Sequence, residues 1–293
     1  MSDQNMSNGP AHGETNGTPD SNAPNVTYWD YVRVDDLLTL QTPVTEAHDE
    51  MQFIVVHQTF ELWFNLAIYE LRGAIERLKA GDITGGTNLL ARVSVILRTS
   101  YKGFDPLMTM SQQGYAEFRD ALTPASGFQS MQFRVIEMLL GIERSTGESG
   151  TSRFYWEGAV QAGDTFHQFM GKYHEKLLRD HADLGENNLR RLMLRLTEQA
   201  TGAKGSEAYR ILLERPNDFH DLYTLAERAR DLQQAVLDFR LGHHKVTVFT
   251  IGKHAAGTSD SHASQHPSCA EYLLDVIKDR STIFPELEEA TMM

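Results

Sequence analysis

From Thr45 to Ala80 the chain contains no proline and one glycine, Gly73. Its apolar residues Phe53, Val56, Phe60, Trp63, Phe64, Ala67, Leu71 and Ile75 recur mostly three or four apart, the period of a helix with one buried face rather than of a strand. The same period predicts a helix over about Gly86–Tyr101, through Leu89, Leu90, Val93, Ile96 and Leu97. The segment GYAEFRDAL, the turn-like TPASG and the helical FQSMQFRVIEMLLGIE follow. Helices are also predicted over 153–183, 186–202 and 218–251, the last with a possible break near Gly242. Alternating strand-like runs are nearly absent, so the expected fold is all-α. No repeat and no Pro/Ser-rich linker divides the body. The expected organisation is one helical-bundle domain over 26–293 behind a disordered tail over 1–25, whose Gly, Asn, Ser and Pro offer little to bury.

At 293 residues the chain is long enough for a sizeable core. Its net charge of −13 disfavours non-specific binding to nucleic acid or to an anionic membrane, both of which need a basic face. A local cation can still receive a small acidic metabolite. The single cysteine, Cys269, allows no internal disulfide and no cysteine-rich zinc site, and a reducing, cytoplasmic location is expected. No apolar run approaches the roughly 18 residues of a membrane span, and the N-terminus lacks the pattern of a signal peptide.

Twelve histidines invite an acid–base or ligand role. His57 and Glu61 stand four apart on one helical face, the spacing of a metal-binding pair, and also of a core histidine beside a surface carboxylate. A di-iron bundle needs two Glu-x-x-His copies; the nearest match, Asp164-x-x-His167, has no second. HEXXH is absent. Phe53 shares the His57 face, so an aromatic wall stands beside an imidazole. Tyr115 and Arg119, four apart, can meet one small anion, because the planar guanidinium fork suits a carboxylate; the alternative is a surface Arg paired with Glu117 or Asp120. In FRLGHHKVTVFTIGKHAAGTSDSH, residues 239–262, a histidine among Val246, Val248, Phe249 and Ile251 can bind haem iron through one nitrogen.

Taken together, TYWDYVRVDDLLTLQ, HDEMQFIVVHQTFELWF, the Tyr115–Arg119 segment running into SGFQSMQFRVIEMLLG, FRLGH with Gly252 nine residues on, and IFPEL resemble the tryptophan 2,3-dioxygenase family of haem-dependent aromatic oxygenases. The resemblance runs from Tyr28 to Leu287. It implies an all-α homotetramer with one haem b per subunit, acting on tryptophan with O2. His243 matches the proximal iron ligand, with Arg240 three residues before it; His244 is the neighbouring rival and fits the spacing less well. His57 matches the distal histidine that bonds the indole N–H, and Phe53 the aromatic residue flanking the indole. Tyr115 and Arg119 match groups around the substrate carboxylate, and Thr258 the residue contacting the ammonium. Tyr28 and Tyr31 match N-terminal residues that complete a neighbouring subunit's site.

The chain departs from the family at the loop that closes over substrate. A glycine-rich GTGGSSG run is replaced by GTSDSHASQH, with one extra residue between Gly252 and Gly257-Thr258. Losing glycines removes backbone conformations that a tight closure uses, and Asp260 and His262 add charge and bulk. Tryptophans usual near FPEL are missing. Two enzymatic outcomes therefore stand open for L-tryptophan or a substituted analogue: dioxygenation of the C2–C3 bond to N-formylkynurenine, or monooxygenation to a 2-oxindole in a biosynthetic pathway. A third alternative, a haem sensor without turnover, gives no purpose to the carboxylate clamp at Arg119.

Overall fold

The computed structural model describes residues 26–142 except 124, 126, 128 and 129, together with 187–253 and 268–292. The expected tail over 1–25 and the helix over 153–183 lie outside the described residues. By backbone contacts the chain divides into two compact units, Met1–Gln41 and Thr42–Met293. In the first, Tyr28–Val32 (α1) and Val34–Leu37 (α2) are short helices that bury no residue. Thr27 caps α1 through its hydroxyl, and Arg33, at φ 55°, turns the chain between the two.

The second unit is built on α3 (His48–Lys79), α4 (Ile83–Lys102) and α10 (His220–Ile251). Between these come α5 (Phe104–Leu107), α6 (Gln112–Arg119), a 3-10 turn at Asp120–Leu122, α7 (Met131–Leu140), α8 (Leu189–Thr201) and α9 (Gly205–Glu214). After α10 come α11 (Cys269–Arg280) and α12 (Pro285–Met292). Among the described residues there is no strand, and no helix is long and apolar enough to cross a membrane.

The apolar stripe read from the sequence is the face that α3 buries. Val56, Phe60, Phe64, Ala67, Leu71 and Ile75 lie in the core, with Phe53 and Trp63 at its margin. The turn into α4 passes through Gly81, at φ 81°, and Asp82 caps the new helix by accepting from Gly85 N at 2.9 Å. Helix α4 then packs against both α3 and α10 through Leu90, Val93 and Leu97. Where these helices meet, Phe239 on α10 touches Phe60, Phe64, Phe104 and Phe133, with ring centroids 5.6, 5.3, 5.0 and 5.4 Å away. This aromatic cluster forms the floor beneath the site.

Gly242 does not break α10, contrary to expectation. The helix runs through it, and a Cβ there would lie 2.7 Å from the Tyr101 ring and 2.8 Å from Phe104. Close approach of α4 and α5 is the reason for a glycine at that position. The IFPEL stretch is anchored: Gln233 Oε1 on α10 accepts from Ile283 N at 2.7 Å and Phe284 N at 3.2 Å, and Arg190 pairs with Glu286 at 2.8 Å.

The start of α3 is fixed by Glu50, which is only 1 % exposed. Its carboxylate accepts from Val44 N at 2.7 Å, Thr45 N at 2.8 Å and the Thr45 hydroxyl at 2.5 Å. Burial pushes the carboxyl pKa up, but the hydrogen bonds from Thr45 and Val44 outweigh it and hold the pKa below the usual value. Stabilisation from a depressed carboxyl is complete above the unfolded pKa, about 4.3 for Glu, and is lost as pH falls through the folded value. Glu50→Ala is expected to cost about 1–3 kcal/mol at neutral pH. In urea melts the deficit relative to the parent should shrink as the solution is acidified below the ordinary Glu pKa; a deficit independent of pH would remove this role from Glu50.

Candidate functional site

Phe53 and His57 lie one turn apart on α3. Their rings stack with centroids 4.0 Å apart and tilted by 34°. The buried ring of Phe118 meets Phe53 edge-on at 5.5 Å, and Tyr115 lies 5.9 Å away, so the Phe53 plane is held from three sides. His57 Nδ1 lies 2.8 Å from the Phe53 carbonyl oxygen. A carbonyl only accepts, so Nδ1 carries the proton and Nε2 presents a lone pair. Burial lowers the His57 pKa, which keeps that tautomer neutral near pH 7. Glu61, one turn further along α3, offers a weaker counter-effect, and its carboxylate is held by Gln132 Nε2 at 2.9 Å.

His243 stands on α10, across a cavity of about 610 Å³ that both histidines line. That volume suits a small-molecule or cofactor site. An ideal Cβ on Gly127 would lie 4.0 Å from His57 Nε2 and 4.0 Å from His243 Nε2. Both nitrogens therefore border the space beside Gly127, which a side chain at that position would enter. Burial chiefly, then the nearby His57, His244 and Arg134, push the His243 pKa down to about 4. Its imidazole is accordingly neutral at physiological pH, the form that binds a metal. Phe104 lies parallel to it at 6.0 Å, within 5°. His244, the sequence rival, does not line the cavity.

Tyr115 lines the same cavity and hydrogen-bonds Arg119, one turn away on α6; burial raises the phenol's pKa. Arg119 itself does not line the cavity. Cys269, at the start of α11, joins them: it lines the cavity within electrostatic reach of Arg119, and burial pushes its thiol up to about 11, so it is a neutral thiol. Tyr28 and Tyr31 belong to the first unit and are 77 % and 81 % exposed. Thr258 and the GTSDSHASQH loop lie outside the described residues, as do Asp164 and His167.

Sequence reading missed the buried ionic cluster on the cavity wall. Glu137 on α7 accepts from Arg134 at 2.6 Å, Arg240 at 2.7 Å and Arg280 at 3.1 Å. These cations hold its carboxyl well below the carboxylate range against the opposing effect of burial. The signal in the sequence is Arg134-x-x-Glu137, an i, i+3 pair inside an otherwise apolar helix.

Among the described residues no group of three or more His, Cys, Asp or Glu side chains could hold a metal ion. The pairing of His57 with Glu61 thus finds no third protein ligand there. A neutral imidazole at an aromatic-walled cavity, with a second imidazole across the gap, fits a flat apolar macrocycle that brings its own in-plane ligands. The residues present fit a haem.

The family model described as tryptophan 2,3-dioxygenase matches residues 12–182. The chain is 32 % identical over 268 residues to a tryptophan 2,3-dioxygenase of Bacillus cereus, covering 90 % of this chain and 91 % of that protein. It is 34 % identical over 263 residues to the tryptophan 2,3-dioxygenase of Ruegeria pomeroyi, covering 83 % and 88 %. A stretch of 136 residues is 43 % identical to the tryptophan 2,3-dioxygenase of a Bradyrhizobium species, covering 46 % and 49 %.

Because one histidine lines the cavity and its neighbour does not, single substitutions separate them. His243→Ala is expected to abolish the ferrous Soret band of the haem-loaded chain, and His244→Ala to leave it unchanged in position. The reverse pattern in absorption spectra would transfer the ligand role to His244.

Proposed function

The chain belongs to the tryptophan 2,3-dioxygenase family, and on that premise we propose that it is a haem b enzyme oxygenating the indole ring of L-tryptophan or a close analogue with O2. The observation that carries this reading is the lone pair of His57 Nε2 beside the same space at Gly127 that His243 Nε2 borders. His243 would hold the haem iron through its neutral nitrogen, and the haem, when bound, supplies the activation of O2. Phe53 fixes the plane of the indole by contact with its face. His57 accepts the indole N–H, so the ring enters in one orientation with its C2–C3 bond turned to the gap. Tyr115 and its hydrogen-bonded neighbour Arg119 receive the substrate carboxylate, an anion clamp that suits an amino acid and not a bare indole. Thr258 is assigned the ammonium. Most of what these residues contribute is orientation.

Dioxygenation to N-formylkynurenine is the primary outcome. The sequence of the closing loop favours a second reading, monooxygenation to a 2-oxindole. With Ser259, Asp260 and Ala263 in place of the glycines of that run, the loop sequence has fewer of the backbone conformations that a tight closure over an oxygenated indole uses. That route consumes an external reductant. Mass spectrometry after turnover under labelled O2 separates the two: two labelled oxygens in the product mean dioxygenation, one means monooxygenation.

The active assembly is proposed to be a homotetramer in the cytoplasm, with Tyr28 and Tyr31 completing a neighbour's site. The exposed apolar stripe Val55, Leu62, Leu66 and Tyr69 along α3 and the solvent-facing aromatics of α1 support an assembled form. An acceptor at His57 also makes a prediction about the substrate. 1-Methyltryptophan, which lacks the N–H donor, is expected to bind at least about tenfold more weakly than L-tryptophan. The His57→Ala chain should lose most of that discrimination. Equal affinity of the parent for both compounds would remove His57 from indole recognition.

A further inference from the structure

Helix α6, which carries Tyr115 and Arg119, begins with half of a capping box. The Ser111 hydroxyl accepts from Gly114 N at 2.9 Å. The other half of the box is a Glu or Gln at the position of Gly114, and the first turn of α6 has no acidic residue of its own. A carboxylate from α3 stands there instead. An ideal Cβ on Gly114 would overlap Asp49 Oδ2, so Asp49 occupies the space that a side chain at residue 114 would take. Negative charge beside the first turn of a helix is favourable, because the unpaired N–H groups there carry partial positive charge.

The contact sits where two parts of the site meet. Asp49 lies one turn before Phe53 on α3, and Gly114 immediately precedes Tyr115 on α6. Ring contacts of Phe53 with Tyr115 at 5.9 Å and Phe118 at 5.5 Å also join the two helices. Apolar contact is non-directional, however, and lets one helix slide along another. The bond from Gln112 Nε2 to the Phe249 carbonyl, 3.1 Å, ties the start of α6 to α10 and not to α3. A carboxylate seated against one particular residue fixes a register. We propose that Asp49 is a positioning residue for the amino-acid end of the substrate: seated against Gly114, it sets how far the Tyr115–Arg119 clamp stands from the indole wall at Phe53. This rests on the clamp reading above. Gly114 belongs to the same device, since a residue with no side chain leaves the carboxylate its seat.

The test measures the affinity of the haem-loaded full chain for L-tryptophan and for tryptamine, which lacks the carboxylate, from the Soret change without O2. Gly114→Ala is the first probe. The atom its methyl meets is the end of a rotatable side chain, so Asp49 is turned aside while α6 gains a better helix former. L-Tryptophan is expected to bind roughly fivefold more weakly, with tryptamine unchanged. Asp49→Ala should do the same, and Asp49→Asn, which keeps the shape without the charge, should lose less. The double variant Asp49→Ala/Gly114→Ala should bind L-tryptophan no more weakly than Asp49→Ala alone, because the seat is already empty. Unchanged L-tryptophan affinity in the single variants overturns the proposal. Equal weakening of both ligands makes the contact a general brace of the fold and overturns it too, as do additive losses in the double variant. A parent that binds tryptamine as tightly as L-tryptophan removes the clamp reading itself, and the proposal with it.

Discussion

Two imidazoles face one gap in the interior of this chain, and burial obliges both to be neutral. Desolvation lowers the pKa of each, and the proximity of the pair lowers His243 further, to about 4. Neutrality fixes what each can do. His57 has its proton committed to the Phe53 carbonyl, so it meets the cavity as an acceptor. His243 lines the cavity as an uncharged base. An acceptor on one side and a metal-binding nitrogen on the other, with Gly127 keeping the space between them open, define a site for something flat.

The scaffold serves that placement. His57 and His243 come from the two longest helices among the described residues, α3 and α10, each packed against α4. Phe239 joins four other phenylalanines at their meeting point, so rotation of α10 about its own axis would break several ring contacts at once. Gly242 lets Tyr101 and Phe104 close onto α10 one residue before His243. Glu50 fixes where α3 begins, seven residues before His57. Small displacements in any of these would be felt at the gap, because interiors are close-packed and transmit strain.

Much of this was legible in the sequence. The 3.6-residue period marked α3, α4 and α10 closely, since each has one strongly apolar face. Phe53 with His57, and Tyr115 with Arg119, were readable as i, i+4 pairs because a helix brings such residues together without help. What sequence could not give was contact across helices. Tyr115 lines the cavity and Arg119 does not, which depends on how α6 sits. Gly242 read as a break because propensity ignores the neighbouring rings that need its missing Cβ. The cluster around Glu137 joins residues from α7, α10 and the end of α11, a separation that no local pattern reveals. Choosing His243 over His244 from sequence required family spacing; the fold adds that His243 is the imidazole of the two that lines the cavity.

On this account one chain performs three separable tasks with different chemistry: an imidazole for the iron, an imidazole acceptor with an aromatic wall for the indole, and a phenol with a guanidinium for the carboxylate. The acceptor and the iron ligand must address the same bound pair across one gap. A crystal structure of the haem-loaded chain with L-tryptophan tests that most directly. The account predicts the iron bonded to His243 Nε2 and the indole N–H donating to His57 Nε2. An iron bonded to His244, or an indole nitrogen turned away from His57, would contradict it.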